Sequence, residues 1–123
     1  MRARHPAPLP TLPERWRLDA GDAALATLHV PADLQRERTF EIACAMTVRS
    51  SADAVDAWHQ MAVSANGALQ WRRRITTSNP GSSDGLDYRF RRSVPVGQAL
   101  TVAVACELRG GRRASLVIEA DEC

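Results

Sequence analysis

The stretch RTFEIACAMTVR, Arg38–Arg49, alternates without a break. Phe40, Ile42, Cys44, Met46 and Val48 fall on one side of an extended chain, and Glu41, Ala43, Ala45, Thr47 and Arg49 on the other. A period of two marks a strand with one covered face, whereas a helix repeats its apolar positions every three or four residues. This segment therefore predicts a β-strand with its apolar side against a core.

The same pattern recurs on both sides of it. LDYRFRRSV, Leu86–Val94, sets Leu86, Tyr88, Phe90 and Val94 against Asp87, Arg89, Arg91 and Ser93. DAALATLHVP, Asp22–Pro31, is compatible with a short helix or a strand; its neighbours favour a strand, ended by Pro31. SSADAVDA, Ser50–Ala57, reads as a loop or a single helical turn. Seven to eight short antiparallel strands without a sustained helical repeat predict an all-β, two-sheet sandwich spanning residues 16–121. Residues 1–15, with Pro6, Pro8, Pro10 and Pro13, predict an extended Pro-rich arm.

Two glycine-containing reversals set the expected registers. In MAVSANGALQWRRRIT, Met61–Thr76, a two-residue Asn66-Gly67 turn would pair Met61 with Arg72 and Val63 with Gln70. A three-residue loop, Ala65–Gly67, instead pairs Val63 with Leu69 and Met61 with Trp71. The longer loop keeps apolar groups together, because a one-residue slip exchanges the two faces of a strand. It turns Trp71 inward and Arg72 and Arg74 outward, with Arg73 reaching solvent at the sheet margin or finding a carboxylate. In LTVAVACELRGGRRASLVIEA, Leu100–Ala120, the same reasoning predicts a hairpin through Arg109-Gly110-Gly111, with Gly111 left-handed. That hairpin would pair Cys106 with Ala114, Val104 with Leu116 and Val102 with Ile118.

Composition narrows the function classes. The 123 residues fit one domain, and a net charge of +2 argues against a dedicated nucleic-acid binder. All 16 basic residues are arginine, and alanine is abundant. Codon supply in a GC-rich bacterial genome produces that bias, so arginine placement carries more meaning than arginine number. No apolar run approaches the roughly 18 residues of a membrane span, and the N-terminus lacks the apolar region of a signal peptide. A cytoplasmic protein without membrane contact is expected. Cys44, Cys106 and Cys123 show no zinc spacing.

Cys44, Trp58 and Cys106 stand in an order and spacing that resembles the Cys…Trp…Cys pattern of the immunoglobulin domain. The tyrosine that the family carries two residues before its second cysteine is Val104 in this chain. The resemblance implies an immunoglobulin-like topology with Cys44 and Cys106 facing one another in the core. Whether they are bonded stays open, since reduced buried thiols also pack as small apolar groups.

No nucleophile–base pair, split carboxylate pair or metal-ligand cluster stands out, and no catalytic residue, metal or cofactor is expected. His59, mid-strand, reads as a structural histidine rather than a base. The expected contact surface is a cationic, partly aromatic strip of Trp58, Gln60, Gln70, Arg72 and Arg74, joined by Arg89 and Arg91 if their strand lies in the same sheet. Trp58 should stand beside Arg74. The loop Thr76–Gly85 adds Asn79 and Asp84 as candidate ligand-binding residues. Alternatively, the strip is a solvated face whose arginines pair with Glu41, Asp87 or Glu107 across strands.

These readings converge on a non-catalytic protein-interaction module or accessory subunit. Its partner would be another protein, or a second copy joined through a sheet edge, with an acidic or anionic ligand as a further expectation. A carbohydrate- or small-anion-binding module and an enzyme subunit completed by a partner chain are the alternatives.

Overall fold

Alternation becomes strand throughout the computed structural model, which describes residues 12–52, 55–78 and 83–123. Eight strands follow one another: β1 (Arg15–Asp19), β2 (Leu25–Val30), β3 (Arg38–Ser50), β4 (Trp58–Ala65), β5 (Ala68–Thr76), β6 (Ser83–Val94), β7 (Leu100–Arg109) and β8 (Gly111–Glu122). They form two antiparallel four-stranded sheets, β1-β8-β3-β6 and β2-β7-β4-β5. The expected two-sheet sandwich is present. Among the described residues no helix is long and apolar enough to cross a membrane.

The strand order corrects the immunoglobulin-like expectation. An immunoglobulin domain keeps its first two strands in one sheet. In this chain β1 and β2 lie in opposite sheets, and β8 inserts between β1 and β3. That order is the jelly roll, two nested Greek keys. Cys44 and Cys106 are both buried on opposing sheets, as the resemblance implies, and both are free thiols.

Inward parity decides the core. Phe40, Ile42, Cys44, Met46 and Val48 of β3 face Met61 and Val63 of β4 and Val102, Val104 and Cys106 of β7, all buried. Leu116, Ile118 and Ala120 complete it from β8. His59 is also buried, and it is satisfied on both sides: Nδ1 lies 2.8 Å from the Thr77 hydroxyl and Nε2 lies 3.2 Å from the Gly85 carbonyl. A carbonyl only accepts, so Nε2 donates to Gly85.

Both expected reversals need correction. At the first, Asn66 and Gly67 have φ values of 48° and 81° and form a two-residue turn, pairing Ala65 with Ala68 and Ser64 with Leu69. A turn with two left-handed residues matches strand twist, which is why Asn-Gly prefers it. The register then shifts between Val63 and Ser64, so that Val63 meets Trp71 and Gln70 has no opposite residue. This bulge restores the parity that a three-residue loop would have provided. Trp71 faces inward, half-buried, and stacks on Tyr88 of the other sheet at 4.7 Å between ring centres.

At the second, no hairpin forms. β7 pairs with β2 and β4, β8 pairs with β1 and β3, and the chain crosses between sheets at Gly110. Gly110, not Gly111, is left-handed, with φ 80°. Gly111 is required for space, since a Cβ there would lie 2.3 Å from the Arg49 carbonyl oxygen.

The opposite end is closed by an ion cluster. Arg36 donates to both Glu122 and Glu14, and Arg38, only 3% exposed, donates to Glu14 Oε1 and to the Pro31 carbonyl at 2.8 Å each. Glu122 in turn accepts from the Glu14 backbone N–H, and Trp16 donates its indole N–H to Glu14. Glu14, expected in the arm, is thus part of the folded domain. Of that arm, residues 1–11 lie outside the described residues.

Candidate functional site

The candidate strip lies on the outer face of the β2-β7-β4-β5 sheet. Trp58, Gln60, Ala62 and Ser64 point outward from β4 because His59, Met61, Val63 and Ala65 point inward. The β5 bulge brings Arg72 opposite Ala62 and Arg74 opposite Gln60 on that face. Arg74 Cζ sits 3.6 Å from the centre of the Trp58 ring, and Arg74 Nε donates to Gln60 Oε1 at 3.0 Å. A guanidinium held by stacking and by a hydrogen bond has already lost much of its side-chain freedom.

Across β4, the sheet-crossing at Gly110 places Arg109 directly opposite Trp58 and Glu107 opposite Gln60. Arg109 is exposed and was not legible as part of the strip, because a hairpin reading assigns it to a loop. The face therefore presents Arg72, Arg74 and Arg109 around Trp58, with Glu107 as the single acidic neighbour in register. The Arg74–Glu107 separation is 4.0 Å between half-exposed groups, a pair that contributes little. Neither Arg72 nor Arg109 meets a carboxylate among the described residues. The centre of the face is low, paved by Ala62, Ser64, Ala103 and Ala105 in adjacent register.

The other sheet is arranged differently. On its outer face Arg15 pairs with Asp121, Arg17 with Glu119, and Arg89 and Arg91 both with Glu41. Arg89 and Arg91 are therefore separated from the strip by the whole thickness of the sandwich, and the solvated-face reading describes them. It does not describe Arg72.

Two further candidates leave the strip. Gln70 is the unopposed bulge residue, and its amide donates back to the Ala68 carbonyl. Asp84 accepts from the backbone N–H groups of Ser78 and Gly85 at 3.1 and 2.8 Å, and the Ser78 and Gly85 bonds hold its carboxyl below the usual range. It fastens the ends of the β5–β6 connection rather than offering free oxygens. Asn79 lies outside the described residues.

No protein-family model matches this chain, and no curated protein matches it. Among solved structures it is similar to dimeric latent PorU from Porphyromonas gingivalis, at 16% identity and a TM-score of 0.49. The match covers 87% of this chain and 10% of that one, so the chain spans about a tenth of PorU's length.

Proposed function

We propose that this protein is a non-catalytic interaction module that docks an acidic protein segment across the β4–β5 face. One observation carries the reading: Arg74 is already fixed on Trp58 and Gln60, while Arg72 on the same face has no carboxylate partner among the described residues. On the other sheet Arg15, Arg17, Arg89 and Arg91 are each neutralised by a carboxylate across strands, whereas this row is partly pre-organised and open to negative charge. The low alanine and serine pavement beside it lets an extended segment lie close. A sugar ring, by contrast, would have to displace Arg74 to reach the Trp58 face.

Self-association through a sheet edge falls to β6. The bulge of β5 discourages strand addition, and β1 and β2 are short, which leaves the longer β6. The free buried thiols suit a reducing, cytoplasmic setting.

Panning a random peptide library on the immobilised protein tests the reading. Enriched peptides should be rich in Asp and Glu, and their retention should fall with added salt and with Arg72→Ser or Arg109→Ser. Enrichment of neutral peptides, or retention indifferent to both substitutions, overturns it.

A further inference from the structure

A second cationic group lies at the end of the sandwich where β3 stops and β8 starts. Arg49 and Arg112 are direct cross-strand partners, and both are exposed. Like charges placed directly opposite on a sheet repel and reduce stability. Most paired arginines of this protein face carboxylates, so this juxtaposition runs against its own pattern.

The backbone holds the two stems together. Gly111 packs against the end of β3 so closely that a Cβ would meet the Arg49 carbonyl at 2.3 Å and Ser50 Cα at 3.0 Å. The Ser51 N–H bonds to the Gly110 carbonyl at 3.0 Å, fixing the same corner. Beside it, the register shift between Thr47 and Val48 leaves Ala114 unopposed. Bulges re-aim side chains. Arg113, next to this one, turns toward the β1–β2 turn, where its Nε donates to the Asp22 carbonyl at 2.9 Å. Two adjoining hollows result, one lined by Arg49, Ser51, Gly111 and Arg112, the other by Asp22, Arg49, Arg112 and Arg113.

We infer that Arg49, Arg112 and Arg113 form a binding site for the phosphomonoester group of a small soluble molecule. A carboxylate brings one charge and two oxygens, whereas a dianionic phosphate brings two charges and three terminal oxygens, a closer match to two or three guanidinium groups. Its binding would also cancel the Arg49–Arg112 repulsion, so ligand and fold stabilise one another. The site lies on the opposite sheet from the Trp58–Arg74 face, and neither reading depends on the other.

The test follows the arginine Nε–Hε NMR signals during titration with inorganic phosphate, with ionic strength held constant by chloride. Saturating shifts should be confined to Arg49, Arg112 and Arg113, and Arg49→Ser or Arg112→Ser should weaken phosphate by about tenfold or more. Arg15→Ser, which removes a paired arginine, should leave the phosphate response unchanged. In phosphate-free buffer Arg49→Ser should melt no lower than the parent, because it removes repulsion rather than an attraction. Glycerol phosphate should bind at least as well as inorganic phosphate. Shifts that chloride reproduces, a phosphate response undiminished in both variants, or retention only by phosphatidic acid vesicles would each overturn the inference.

Discussion

The Arg74 guanidinium covers the Trp58 ring at 3.6 Å, and the Gln60 side chain keeps it there. Trp58 is consequently shielded by a cation rather than by a core. Arg74→Ala should cost about 0.5–1 kcal/mol of stability, the size of an exposed cation–π contact. It should also raise the iodide-quenchable fraction of tryptophan fluorescence, because Trp16 and Trp71 are held elsewhere. An unchanged quenching curve would show that the stack does not shield the indole in solution.

The ion cluster gives a pH signature. Arg36 donors hold the Glu122 carboxyl down at about 2 against an ordinary 4.5; burial opposes this, and the Glu14 N–H assists. A depressed folded value means that the contribution is whole above about pH 4.5 and is lost as pH falls through about 2. Urea midpoints of the parent and Glu122→Gln should differ by a constant amount near neutrality. The gap should narrow on acidification below about pH 4.5 and close near pH 2. A gap as wide at pH 3 as at pH 7 would mean that the carboxylate charge is not its source.

Cysteine reactivity should separate the three thiols. Burial pushes Cys44 up to about 12, with Cys106 adding to it, and burial pushes Cys106 up to about 11. Cys123 is exposed. Thiol titration of the native protein with a disulfide reagent should therefore count one group promptly, and all three after unfolding. Prompt reaction of a second group would contradict the packing of the two sheets.

The two reversals make opposite demands on glycine. Gly67 has open space around its absent side chain but a φ of 81°, so Gly67→Ala should cost about 1–2 kcal/mol through backbone strain alone. At Gly111 the obstacle is the Arg49 carbonyl, and Gly111→Ala must push β8 away from β3. Thermal melts should rank Gly111→Ala as the more damaging. The reverse order would argue against the close β3–β8 approach.

What could be read from the sequence was the facing of each residue along a strand. Alternation in Arg38–Arg49 and Leu86–Val94 assigns each residue to its face, and the structure puts Phe40, Ile42, Leu86 and Val94 inside accordingly. It also turns Trp71 inward and Arg72 outward, although by a tight turn and a bulge instead of a longer loop. Parity alone cannot distinguish those two routes. Nor can it tell pairing from facing: Val104 and Leu116 both point into the core whether their strands share a sheet or lie across from one another. That ambiguity hid the sheet-crossing at Gly110 and with it the place of Arg109 beside Trp58. Glu14 and Glu122 meet across 108 positions, and no periodicity signals such a partnership.

The position of β8 has a further consequence. It is the eighth strand in order of synthesis, yet it lies in the interior of its sheet, with β1 on one side and β3 on the other. On the ribosome, the first strand must wait for almost the whole domain to be translated before it has a neighbour to zip against. Until then β3 is paired on one side only, with β6. Pairing over so long a stretch of chain carries a large loop-closure entropy, which slows folding.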